Sequence, residues 1–175
     1  MTLSSKHGRY VVQQHKSKNT HWDFRLEIGN KMLSWAIPKG PSINPRETRL
    51  AVLTKPHDIS YNEFEGVITK GLYGAGKVLQ WDKGTYNFID KDKDIRDMFR
   101  DGLLKFKLNG EKLKGDWALV ETNQNWLLIK MNDKYARKDI DIVKTKKKSV
   151  KSGKIINEIT KDDGLITKQM DLGWD

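Results

Sequence analysis

The sequence predicts a mostly β protein: an antiparallel β-barrel with one or two short helices. Three observations lead there. Over the first 135 residues, short apolar or alternating runs recur between Gly, Asn, Asp and Pro separators. Two of those separators, Gly29-Asn30 and Asn109-Gly110, are hairpin-turn pairs. Only about Asp92–Asp101 in that region carries helical spacing. Many short strands with one helix suit a sheet closed on itself, which leaves no exposed edge.

In chain order, Tyr10–His15 is the first strand. His21–Ile28 and Met32–Pro38 flank Gly29-Asn30 and form a hairpin. Arg49–Lys55, Gly76–Trp81 and Tyr86–Ile89 follow. Leu103–Leu108 and Leu113–Val120 flank Asn109-Gly110, the strongest local hairpin signal, and Trp126–Met131 closes the series. In the helix, Ile95, Met98 and Phe99 share a face, Asp92 caps the start and Gly102 ends it. Trp22, Trp35, Trp81 and Trp117 fall inside strands and belong to the core by residue type.

After Tyr135 the composition changes, which divides the chain into a barrel domain, 1–135, and a basic C-terminal extension, 136–175. The extension holds the run Lys146-Lys147-Lys148 and one short apolar cluster, Ile155, Ile156 and Ile159, at the spacing of an amphipathic helix. Two roles compete for it: holding nucleic acid through its lysines, or covering the barrel with its isoleucines.

The chain has 33 Lys and Arg against 23 Asp and Glu, a formal net charge of +10. Such a balance suits a polyanionic partner, nucleic acid before an acidic membrane. The extension carries 10 Lys/Arg against 7 Asp/Glu, so most of the excess belongs to the first 135 residues. Absence of cysteine excludes disulfides, Cys-ligated zinc and a thiol nucleophile, and fits a reducing compartment such as the cytoplasm. No window approaches 18 apolar residues, so neither a membrane span nor a secretory signal is expected.

The chemistry concentrates in His21-Trp-Asp-Phe-Arg-Leu-Glu-Ile28. In a strand, His21, Asp23, Arg25 and Glu27 face one way, and Trp22, Phe24, Leu26 and Ile28 the other. Alternation of this kind commonly means only a half-buried strand. Here the polar face sets a His and an Asp side by side at metal-ligand distance, with Arg25 one pleat further on. An Arg there can fork onto phosphate oxygens. His15, near the end of the preceding strand, can fold back beside them. Two imidazoles and one carboxylate leave coordination positions open for water or substrate.

The residues also carry a resemblance. Tyr10-Val-Val-Gln-Gln-His15, His21-Trp-Asp-Phe-Arg-Leu-Glu27 and Ser34-Trp-Ala-Ile-Pro-Lys-Gly-Pro-Ser42 resemble the 3′-phosphoesterase family. These are the end-healing modules of bacterial ATP-dependent DNA ligase D and their free-standing relatives. The likeness continues through Arg49-Leu-Ala-Val52, His57, Tyr61, Gly71-Leu-Tyr-Gly-Ala-Gly76 and Val78-Leu-Gln-Trp81, and ends at Trp126-Leu-Leu-Ile-Lys130. It covers roughly residues 9–135 in order. The resemblance implies a β-barrel with its site in a groove on one side. It implies that His15, His21 and Asp23 ligate Mn²⁺, with other divalent metals as substitutes. It implies that Arg25, His57 and Tyr61 hold the scissile phosphate, and that Ser34, Lys39 and Arg49 support substrate binding. The implied activity is removal of terminal 3′-phosphates and 3′-ribonucleotides from DNA for repair or end joining, with a separately encoded DNA ligase as partner. Ligase-linked members carry an upstream segment with an Arg and acidic residues; Met1–Arg9 contain no carboxylate.

Two other readings use the same residues. His21-x-Asp23 followed by His57 imitates the two-histidine, one-carboxylate pattern of non-haem iron dioxygenases, but leaves His15 without a role. A non-catalytic nucleic-acid-binding barrel explains the charge but not the His-x-Asp-x-Arg face. Three motif echoes are set aside. Gly71-x-x-Gly-x-Gly-Lys77 has the wrong spacing for a phosphate loop and reads as turns. His15-x-Ser17 lacks its second copy, and Lys161-x-Asp-Gly164 is a chance likeness to a ligase nucleotidyl-lysine motif.

Overall fold

The computed structural model describes residues 6–168. Eight strands close into an antiparallel barrel: β1 (His7–Lys16), β2 (Thr20–Ile28), β3 (Lys31–Ile37), β4 (Arg49–Asp58), β6 (Gly76–Phe88), β7 (Leu103–Gly110), β8 (Lys114–Glu121) and β9 (Trp126–Lys130). Their order around the barrel is β1-β2-β3-β4-β9-β8-β7-β6, and β6 pairs back onto β1. Two strands lie outside the circuit. β5 (Gly66–Ile68) pairs with β6, and β10 (Leu165–Ile166) runs parallel to β5.

Alternation sorts the side chains as expected. Tyr10, Val12, Phe24, Leu26, Trp35, Leu79, Trp81, Phe106 and Trp117 fill the interior and are essentially inaccessible. Gln13, His15, Asp23 and Arg25 therefore stand on the outer face of β1 and β2. A second, smaller apolar layer of Tyr61, Ile68 and Val78 roofs that face, with Phe64 and Leu72 packed on it.

Gly29-Asn30 forms the expected two-residue turn: Ile28 pairs with Lys31, and Gly29 has φ 63°. The other hairpin turns elsewhere than expected. Asn109 and Gly110 are still in strand, opposite Lys114 and Gly84, and the chain reverses over Glu111–Leu113. The Asp82 carboxylate makes that turn by accepting the backbone N–H groups of Glu111, Lys112 and Leu113 at 2.9–3.0 Å. Gly110 is required for close approach, since a Cβ there would collide with the Tyr10 hydroxyl.

The runs Gly76–Trp81 and Tyr86–Ile89 prove to be one 13-residue strand. A register shift after Val12 bends β6 against β1 instead of breaking it. The expected helix is shorter, α1 (Ile95–Asp101). Its cap is Asp94, which accepts the Arg96 N–H at 2.7 Å, not Asp92. Gly102 ends it in the left-handed conformation, and Ile95, Met98 and Phe99 share the buried face.

α1 covers one end of the barrel. The segment after Tyr135 begins at the other, where a single helical turn, α2 (Ile142–Thr145), lines a groove with Trp22, Lys39 and Arg49. It then passes along the outside, with a 3-10 turn (Ile156–Glu158) beside β6 and β1 and β10 on β5. Ile142 and Ile159 join the barrel core, and Ser149 Oγ donates to the buried Glu65 carboxylate at 2.5 Å. Of the expected isoleucine cover, Ile159 enters the core and Ile156 packs partly against it, around a 3-10 turn instead of an α-helix, while Ile155 lines a groove. No helix among the described residues is long and apolar enough to cross a membrane.

Candidate active site

The β1–β2 hairpin builds the site. His15 pairs with His21, and Gln13 with Asp23, so their side chains emerge together on the outer face. His15 Nδ1 lies 3.2 Å from His21 Nε2, which lies 3.2 Å from Asp23 Oδ1. One ligand atom from each of the three residues falls within 4.8 Å of the others, a set able to hold a metal ion.

The tautomer of His15 follows from its surroundings. Its Nε2 faces the Gly74 and Ala75 carbonyls at 2.8 and 3.0 Å. Carbonyls only accept, so Nε2 carries the proton and Nδ1 offers its lone pair toward His21 and Asp23. Burial, then the neighbouring His21, lower the His15 pKa and favour this neutral form. Burial opposes ionisation of Asp23, but Arg25 and His21 outweigh it and hold the carboxyl below its usual range. A neutral His15 imidazole beside an ionised Asp23 carboxylate suits a divalent cation. Two nitrogens and one oxygen suit Mn²⁺, Fe²⁺ or Zn²⁺ rather than Ca²⁺.

Arg25 is held with unusual completeness. Nε donates to Gln13 Oε1 at 2.8 Å, Nη1 to Ser34 Oγ at 2.6 Å and Nη2 to Asp23 Oδ2 at 3.4 Å. Its carbon stands 5.1 Å from the Tyr61 ring centroid, a cation–π contact. Three of its five N–H bonds are thereby engaged among the described residues, leaving one on each terminal nitrogen. Tyr61 stacks on His57 at 5.4 Å, and Tyr73 lies 6.2 Å beyond at the rim. His57 Nδ1 faces the Lys55 carbonyl at 3.0 Å, so that nitrogen carries the proton in the neutral ring. Burial and then Arg25 push the His57 pKa down to about 3. Burial pushes Tyr61 up to about 12. Without an anion beside them, both are neutral across the physiological range.

His15, His21, Asp23, Arg25, His57 and Tyr61 thus line one cavity of about 300 Å³. Ser34 lies beneath it as a support for Arg25. Lys39 and Arg49 are placed elsewhere, in a separate groove. His57 is not among the three clustered ligands, so the His21-x-Asp23…His57 pattern of an iron dioxygenase is not assembled.

Three features escape sequence reasoning. Gln13, inaccessible to solvent, accepts from Arg25 and donates to the Tyr61 and Phe64 carbonyls at 3.0 and 3.1 Å. It binds Arg25 to the segment that carries Tyr61. Its alternation with His15 on β1 was the available signal. The Gly71–Ala75 turns supply the carbonyls that orient His15, and Tyr73 supplies the rim; no pattern in sequence marks either.

Comparison with known proteins finds relatives over most of the chain. A family model described as the DNA Ligase D 3′-phosphoesterase domain matches residues 13–121. The multifunctional non-homologous end joining protein LigD of Pseudomonas aeruginosa is 43% identical over 151 residues, covering 82% of this chain and 18% of that protein. The corresponding DNA repair protein of Mycobacterium tuberculosis is 38% identical over 130 residues, 74% of this chain and 17% of that one. The Mycolicibacterium smegmatis protein is 37% identical over 135 residues, 74% and 18% respectively. The matched stretch is thus less than a fifth of each of these relatives.

Proposed function

This chain belongs to the DNA ligase D 3′-phosphoesterase domain family, and on that premise we propose that it heals DNA 3′ ends as a manganese-dependent hydrolase. It removes terminal 3′-phosphates and 3′-ribonucleotides, leaving a 3′-hydroxyl that a DNA ligase can join in repair or non-homologous end joining. One observation carries this reading: Arg25, with two N–H bonds uncommitted among the described residues, lines the same cavity as the His15–His21–Asp23 ligand set.

His15 Nδ1, His21 Nε2 and an Asp23 carboxylate oxygen would hold Mn²⁺. A metal so bound would polarise the phosphate and make an attacking water more acidic. The protein's own groups do the rest. Arg25 grips two non-bridging phosphate oxygens as a planar fork, a geometry that Gln13, Ser34 and Asp23 preset. The fixed donors face the charge that builds on those oxygens, at no cost of reorganisation. Water oxygen bonds to phosphorus, giving up a proton to solvent, as the bond from phosphorus to the leaving oxygen breaks. The leaving oxygen takes up a proton. His57, with Nδ1–H given to Lys55, has Nε2 as its basic nitrogen, and an arriving phosphate dianion favours its protonation. The imidazolium then donates to phosphate or to the leaving oxygen. Tyr61 packs both Arg25 and His57 in place.

The deciding experiment incubates labelled DNA ending in a 3′-phosphate or a terminal ribonucleotide with the protein and Mn²⁺, Mg²⁺, Zn²⁺ or EDTA. Release of phosphate or nucleoside with Mn²⁺, and none in EDTA, is expected. Equal turnover in excess EDTA would overturn the metal assignment, and intact ends under every metal would overturn the activity.

A further inference from the structure

The hairpin tip between Lys16 and Thr20 has two faces, and the second is built as carefully as the first. His15 and His21 look into the catalytic cavity; their neighbours Gln14, Thr20 and Trp22 look the other way, by the alternation of the pleat. They form the floor of a second hollow of about 640 Å³, more than twice the volume of the cavity.

Cations from two distant parts of the chain meet there. Lys39 and Arg49 come from the barrel, Lys144 and Lys147 from the segment that covers its end. Against these four charges the lining holds one carboxylate, Asp141, which lies 3.8 Å from the Lys144 ammonium. The arginine is loosely held: Nη2 is 3.7 Å from Glu47, beyond hydrogen-bond distance, and Nε has no hydrogen-bond partner among the described residues. This contrasts with Arg25, whose guanidinium is fixed on three sides. The far wall is anchored, since Lys16 and Lys77 both grip Asn157, at its side-chain oxygen (2.6 Å) and its carbonyl (3.0 Å). Those two lysines pair across β1 and β6 directly beside His15.

A groove with four cations, an aromatic floor and one carboxylate is matched to a strand of phosphodiesters. We propose that it binds the DNA backbone away from the reacting end, so that the polymer crosses the Lys16–Thr20 tip with its 3′ terminus in the cavity. The inference rests on the DNA-end reading above. It assigns Lys39 and Arg49 to the body of the substrate and not to the scissile phosphate, and makes the covering segment part of the binding surface.

Deleting the segment would unmask the core, so charge substitutions are the proper test. Lys144 and Lys147 are exposed, and K144Q/K147Q removes two charges without touching packing. A matched control, K105Q/K107Q, removes two exposed charges at the α1 end of the barrel. Equilibrium binding to single-stranded and to primer–template DNA is measured against salt in EDTA, where no turnover occurs. For K144Q/K147Q, the slope of log affinity against log salt should flatten by about 0.7 to 0.9 for each phosphate that the protein ceases to neutralise, with the control near wild type. Flattening on both DNAs assigns the groove to the reacting strand, and flattening on primer–template alone to the complementary strand. An unchanged slope on both, or equal flattening in the control, overturns the inference. Failure of the DNA-end reading is seen separately, as intact 3′ ends with the unsubstituted protein and Mn²⁺.

Discussion

The side-chain oxygen of Gln13 stands 2.8 Å from Nε of Arg25, while its amide nitrogen donates to the carbonyls of Tyr61 and Phe64. One buried amide thereby fixes both the cationic fork and the segment carrying its stacking partner. Gln13→Met keeps the bulk and removes all three bonds. It should destabilise the fold by about 1–3 kcal/mol, since buried donors and acceptors are left unpaired. Urea unfolding measures that loss. Phosphate protection against unfolding should also weaken, because Arg25 is no longer preset.

Arg25→Lys preserves the charge and loses the fork. Lysine cannot serve Gln13, Ser34 and Asp23 while offering two parallel donors to phosphate. A loss of about 10²-fold or more in kcat/KM on a 3′-phosphate end is expected, typical of removing a fixed donor to developing charge. Activity within about threefold of wild type would remove Arg25 from the phosphate site.

Metal binding should be separable from folding. Mn²⁺ binds the folded chain and should raise its Tm in a concentration-dependent way. His21→Ala should abolish that rise and turnover together while leaving the metal-free Tm within a few degrees, because His21 is partly exposed and outside the core. A Tm response that survives His15→Ala, His21→Ala and Asp23→Asn would place the metal elsewhere.

Acid stability carries the mark of His57. The unfolded chain protonates this imidazole near its ordinary value of 6.5, the folded chain only near about 3. The unfolded state binds the extra proton between those values, so stability falls as pH drops from 6.5 toward 3. The contribution is at most about 1.4 kcal/mol per pH unit. His57→Gln should flatten that limb of the stability curve, read by denaturant titrations at pH 7, 5.5 and 4. An unaltered limb would mean the imidazole is already charged in the folded protein.

The docked segment should report on stability. Ser149→Ala removes one of the two groups that hydrogen-bond Glu65 Oε1, the other being the Gln80 N–H at 2.8 Å. A cost of about 1–2 kcal/mol is expected. Truncation after Tyr135 should cost more, because Ile142 and Ile159 leave the core cluster. A truncated chain with the wild-type Tm would show that the cover is dispensable.

Alternation along the chain determined much of this protein. A period of two is enough to name the faces of β2, and so to set His21, Asp23 and Arg25 together before any coordinates. Gly29-Asn30 specified its turn because a two-residue hairpin loop demands positive φ locally. Asn109-Gly110 did not, because Asp82, far away in sequence, supplies the acceptors that make the turn two residues later, over Glu111–Leu113. The same distinction runs through the site. Which residues carry the chemistry is a matter of residue type and local spacing. How they are held depends on contacts between segments far apart: Gln13 to Tyr61 and Phe64, His15 to Gly74 and Ala75, Ser149 to Glu65. Closing the barrel brings Lys39 and Arg49 to its open end, and docking the last segment there sets Lys144 and Lys147 beside them. Nothing periodic in the sequence encodes that meeting, because it is fixed by burial of the isoleucines that bring the lysines with them.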